Sequence, residues 1–219
     1  MAKKTNYIIL AVTVVLAAAT AAMIYWTYDI IAKPVQFESD KAQREEAVIN
    51  RLKDIREAER QFKKHHGRFT ASFDTLIDFV LHGQMTGERR IVDEDDSVMM
   101  ANYKQKFGKK WKNIETFTYL VKDSIFKHLD TTEIKNLRYI PYTNNRTEFI
   151  LRAGNLATES KVVIPTVECL APYKAFLDTI AHRQEVINLI DNCKTNLNRY
   201  PGLKFGSMEG GNNEAGNWE

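Results

Sequence analysis

The chain holds little of what dedicated chemistry requires. Its 219 residues include two cysteines, Cys169 and Cys193, and five histidines, of which only His65 and His66 stand together. Two cysteines with no histidine at ligand spacing do not make a zinc site. Neighbouring residues at a helix end point roughly 100° apart, so His65 and His66 do not converge on one ion. Their expected role is a cationic helix end facing the last carbonyls. No Gly-x-Ser-x-Gly, Walker-type loop or dinucleotide fingerprint is present. The acidic run Asp93 to Asp96 lacks the alternating oxygens, glycine turn and terminal glutamate of a calcium loop. A net charge of +3 is too small to argue for nucleic acid. The expectation is a chain with no catalytic, cofactor-binding or metal-binding residues.

What is present begins with one long apolar run, residues 7–32, uninterrupted by charge until Asp29. About 20 apolar residues suffice to cross a bilayer's hydrocarbon core as a helix, and a helix satisfies its own backbone groups there. The alternative is a cleaved signal peptide, with Lys3 and Lys4 as its basic region and the alanines from Ala17 to Ala22 near the cut. Two features favour a retained anchor. Apolar character continues through Met23 and Ile24, and it ends in Tyr25, Trp26 and Tyr28, aromatics of the kind found at a membrane interface. Lys3 and Lys4 predict that residues 1–6 stay in the cytoplasm. Residues 33–206 then form an extracytoplasmic domain, and residues 207–219 a flexible tail. That places the protein in a bacterial inner membrane as a single-pass protein. Ala17, Ala18, Ala21 and Ala22 stand at four-residue spacing and offer a face on which anchors can pack closely, though alanine is also simply a good helix former. In an oxidising compartment the even cysteine count favours a Cys169–Cys193 disulfide over two buried thiols.

Beyond the anchor, Pro34 is expected to end or bend the helix. A second helix then runs from Ser39 or Asp40 to about Lys64. Val48, Leu52, Ile55, Ala58 and Phe62 form its apolar stripe, and Lys53/Glu57 and Glu59/Lys63 are expected surface pairs. Gly67 is the expected stop. Ser72 caps a short helix through Leu81. Residues 88–112 read as an irregular polar loop or mobile hairpin, acidic at 93–96 and basic at Lys104, Lys106, Lys109, Lys110 and Lys112. Strands are expected at 117–121, 137–142, 148–152 and 161–170, the last an edge or bulge because of Pro165. Turns are expected at 143–146 and 153–155. Residues 173–177 add a possible strand, 184–193 a helix, and 199–205 a turn and a last strand. Asn145-Arg146-Thr147 matches an N-glycosylation acceptor. Four Asp-Ser/Thr-apolar triplets, at Asp74, Asp96, Asp123 and Asp178, match a bacterial O-glycosylation pattern or, more simply, helix caps and turns. The fold class expected is α+β: a transmembrane helix, then an amphipathic helix packed on a small antiparallel sheet.

The order of span, charged helix, Gly-Arg-Phe turn, small helix and sheet resembles the type IV pilins and pseudopilins. The local likeness runs from Ala47 to Phe79, through His66-Gly67-Arg68-Phe69 and Phe73-Asp74-Thr75-Leu76. The resemblance implies a lollipop shape and a place in an assembly. At the position of the pilin cleavage junction this chain has Asn6-Tyr7, and no acid follows until Asp29. The chain as a whole also looks like a family of bacterial single-span envelope proteins that brings no activity with it. The expected function is a non-catalytic envelope component. Its partners would be the lipid bilayer and other envelope proteins, or further copies of itself, with no nucleic acid and no cofactor. The competing reading is a membrane-tethered enzyme or a glycan- or ligand-binding module.

Overall fold

A computed structural model describes residues 2–93, 95–108, 111–157 and 161–219, with backbone only at residues 2–9 and 29. Helix α1 (Ala2–His66) is one element of 65 residues, about 100 Å long at 1.5 Å per residue. It passes through Pro34, where the sequence predicts an end or a bend, and does not end there. A proline removes one N–H from the ladder, and the turns on either side carry the helix on. The apolar window of α1 that starts at Leu10 is long enough to cross a membrane, and none of it is buried within the chain. The first buried side chain along α1 is Phe37. The helix thus has a bare half and a packed half.

The packed half follows the sequence closely. Val48, Leu52, Ile55, Ala58 and Phe62 are all buried. Gly67 stops the helix in the left-handed region (φ 74°), and its N–H donates to the Lys63 carbonyl at 2.7 Å. Glu59 departs from expectation. It lies on the buried side next to Ala58, fully enclosed, and does not pair with Lys63. Helix α2 (Phe73–His82) starts at Ser72, whose side chain accepts from the Thr75 N–H, and buries Phe73, Leu76, Phe79 and Val80.

Two antiparallel sheets follow rather than one meander. The first is a ribbon of β1 (Gln84–Arg89) and β2 (Glu115–Leu120). Helix α3 (Ser97–Phe107) lies between its strands, in a stretch that the sequence leaves irregular. After β2 come the short helices α4 (Val121–Ser124) and α5 (Thr131–Lys135). The second sheet has the order β3 (Ile150–Ala157), β4 (Val163–Pro172), β5 (Gly202–Gly206). Between β4 and β5 lie α6 (Tyr173–Phe176) and α7 (Arg183–Asp191). The buried stripe of α1 shares one core with Val167, Cys169, Ala171, Leu203 and Phe205 of this sheet.

Several expected strands are placed differently. Residues 137–142 form a 3₁₀ turn (Asn136–Arg138) and a single bridge, Tyr139 to Glu148. Residues 153–155 lie inside β3 and pair with Val167, Thr166 and Pro165. Residues 173–176 are helical. Strand β4 is central, yet its proline is accommodated. Only residues 168–172 pair with β5, so Pro165 has β3 on one side and no strand on the other. A missing N–H costs nothing where no ladder bond would form.

Two further expectations are corrected. The cysteines do not form a disulfide: Cys169, midway along β4, and Cys193, in the turn after α7, are both buried free thiols. Each is packed as a small apolar side chain. The tail is also seated. Gly206, at φ 76°, turns the chain out of β5 at a point where a Cβ would collide with the Val167 carbonyl oxygen. Residues 215–217 then run back beside β5: Gly206 N–H donates to Ala215, Asn217 N–H to Lys204, and the Asn217 amide to Gly202. Glu214 takes Arg60 and Lys63 at 3.3 and 3.7 Å, Glu219 takes Arg56 at 2.5 Å, and the Arg56 guanidinium lies over Trp218.

Candidate functional site

Among the described residues, the carboxyl most displaced by its surroundings is that of Glu59. Its side chain is 0% exposed, one oxygen accepts the Thr70 N–H at 3.1 Å, and the other has no partner. Burial pushes its carboxyl up to about 8, against the opposing pull of the Thr70 hydrogen bond. Burial, reinforced by the Glu59 charge, raises the Cys169 thiol as well. Neither group has a surface through which a substrate could approach. A protonated acid and a neutral thiol enclosed in a core are structural chemistry.

The histidine pair lies at the far end of α1. His66 stacks on Phe62 with ring centres 4.1 Å apart, and His65 meets His66 edge-on. Both line a shallow cavity of about 240 Å³ with Asp78, Phe79 and His82. His82 Nδ1 and Asp78 are 2.9 Å apart. Among the described residues no three His, Cys, Asp or Glu side chains are grouped to hold a metal ion.

The acidic run has a local role. Asp96 is the N-cap of α3 and accepts the Met99 N–H at 2.9 Å; Glu94 lies outside the described residues. Asp178 likewise accepts the N–H groups of Ile180 and Ala181, both at 2.9 Å. Two of the four Asp-Ser/Thr-apolar triplets thus serve as caps or turns. Asn145, of the glycosylation-like triplet, sits at φ 56° in an exposed turn.

On the apolar half of α1, Ala17, Ala18, Ala21 and Ala22 are exposed, and Tyr25, Trp26 and Tyr28 are 74%, 67% and 71% exposed. These side chains are available to lipid or to another helix, and the body touches none of them.

The least buried feature of the body lies within residues 84–120. Strands β1 and β2 pair in unbroken register from Gln84–Leu120 to Arg89–Glu115. Phe117 lies across Gly87, where a Cβ would meet its ring at 2.7 Å. Arg89 reaches Glu115 at 2.7 Å. Beyond the strands the Asn113 side chain clips the ribbon shut, accepting from Val92 N–H at 2.8 Å and donating to its carbonyl at 2.7 Å. Helix α3 sits past this clip and buries no side chain. Val98, Met99 and Phe107 are exposed on it, and Ile91, Ile114 and Phe117 are exposed along the ribbon. Lys104, Lys106 and Lys112 are exposed among them, while Lys109 and Lys110 lie outside the described residues. The base of the ribbon belongs to the body, with Met85 buried in the core and Tyr119 packed against it, and the arm projects beyond that base, near Phe79 and Phe62 at the far end of α1.

Part of the arm is legible in the sequence: β2 falls on the strand expected at 117–121, and a hairpin is one reading of 88–112. Strand β1 and helix α3 are not, because polar residues dominate them, although Asp96-Ser97 precedes three apolar residues as a cap does. Comparison of the chain with protein-family models, curated proteins and solved structures gave no match.

Proposed function

We propose that the chain is a non-catalytic, single-span subunit of a larger envelope assembly, whose body recruits protein partners through the arm at residues 84–120. The observation that carries this reading is α3, a helix of 11 residues with no buried side chain, held away from the core on a two-stranded ribbon. Such a ribbon is marginal alone, and an isolated short helix more so. A surface of this kind, apolar with lysines at its margin, gains stability from a partner. In this reading α1 crosses the inner membrane with its basic amino end in the cytoplasm, and the body stands on the far side.

The test is affinity purification from mild-detergent membranes. The full chain should return a defined complex. A chain in which Ile91–Asn113 is replaced by an Asn-Gly turn should melt at the same temperature and purify alone. A full-length chain that migrates as a lone particle would overturn the proposal.

A further inference from the structure

The body's near end, beside the anchor, is closed by the connection from α6 to α7. This segment runs down α1 towards the span. The Phe176 carbonyl accepts the Arg44 guanidinium at 2.8 Å, and Asp178 pairs with the same arginine at 3.6 Å. His182 then packs on Phe37 and lies 3.2 Å from Asp40. Asp178 accepts two backbone N–H groups, from Ile180 and Ala181, which fixes the turn between these attachments.

On this pinned turn stands Ile180, 94% exposed, the most exposed large apolar side chain among the described residues. A single exposed apolar residue is ordinary on a protein surface. Three observations separate this one from the ordinary case. The turn is fastened to α1 rather than loose. Next to it, Lys174 and Arg183 border a cavity of about 380 Å³ with an apolar floor of Val186, Ile187 and Ile190. On α1 itself an open apolar strip of Tyr28, Ile31, Ala32 and Val35 continues from the span as far as Asp40, where His182 is held.

Depth decides the occupant. Phe37 is five residues past the end of the apolar run, about 8 Å along the helix. The polar layer of a bilayer is about 5–8 Å thick on each side of the hydrocarbon. The turn is attached between Phe37 and Arg44, about 8 to 18 Å past the apolar run, so its near attachment, at His182, stands at the outer edge of the headgroups and Ile180 beside it is the side chain placed to reach them.

We propose that the 177–182 turn is a lipid-contact site: Ile180 enters the interface of the leaflet from which α1 emerges, and Lys174 and Arg183 engage the phosphates of anionic lipids. The site makes a second attachment of the body to the bilayer. It joins a buried apolar side chain to cationic contacts, the combination by which peripheral segments hold a membrane. The proposal rests on the reading of α1 as a span.

The full-length chain, reconstituted into vesicles of mixed phosphatidylcholine and phosphatidylglycerol, tests it. A polarity-sensitive fluorophore is placed in turn at Leu16→Cys, Ile180→Cys and Lys104→Cys, with lipids brominated in the upper acyl chain as quenchers. The expected result is a blue shift and quenching at 180, absence of both at 104, and a blue shift at 16. The Lys174→Glu, Arg183→Glu double variant should lose the quenching at 180 and keep the signal at 16. A label at 180 that behaves as the one at 104, while 16 reports hydrocarbon, overturns the lipid-contact site and leaves the span intact. A label at 16 that reports water overturns the span itself.

Discussion

Glu59 makes stability depend on pH in a direction that can be stated. Its carboxyl is raised from 4.5 to about 8 by burial. Between those values the folded chain binds a proton that the unfolded chain has released. Stability therefore falls as pH rises through that window, by up to about 1.4 kcal/mol per pH unit, and levels off above it. Urea unfolding at a series of pH values measures this. Glu59→Gln keeps an acceptor for the Thr70 N–H and has nothing to titrate, so its slope should vanish and it should be at least as stable as the native chain at pH 8. A native curve flat between pH 5 and 8 would contradict the burial of this carboxyl. The sequence could not reveal this residue. Glu59 stands four before Lys63, a spacing that predicts an exposed pair, and only its phase next to Ala58 and Phe62 hints at burial. Lys63 is occupied elsewhere, with Glu214 and over the Phe69 ring.

At the level of elements, legibility tracked how strongly the side chains repeat. The stripe of α1, the Gly67 stop and the Ser72 cap were all readable, because each depends on local spacing or on one backbone conformation. The sheet was less so. Residues 153–155 look like a turn by composition and are strand by pairing, and residues 137–142 look like strand and have little to pair with. Long-range partners decide such cases. The tail is the clearest instance. Its glycines and asparagines read as loose chain, yet Asn217 supplies both a donor and an acceptor to β5, with its side-chain oxygen taking the Lys204 N–H at 3.0 Å. Deleting residues 214–219 should cost about 2 kcal/mol, through the lost packing of Trp218. A urea titration would show the midpoint lowered; an unchanged midpoint would mean that the seated tail contributes nothing to folding.

For the whole molecule, the two halves of α1 make separable demands. The apolar window contributes nothing to the core, so a chain beginning at Lys33 should be soluble and fold with the same melting temperature as the full chain in detergent. Loss of cooperative melting in that truncation would show that the bare half supports the body. The long apolar helix was the most legible feature of the sequence, since it depends only on the length of an apolar run. Helix α3 was the least legible element, since it buries no side chain and so carries no periodic apolar stripe.

An unbroken α1 also fixes a direction. At about 100° per residue, Ala17 and Ala21 fall in phase with Lys53 and Glu57, on the side of the rod away from the buried stripe. The globe thus hangs off one flank while these two small side chains look out from the other. Two rods meeting through those alanines would splay their globes outward like leaves on paired stems. A single amino acid inserted after Pro34 would swing each globe by about a third of a revolution without altering any contact inside it.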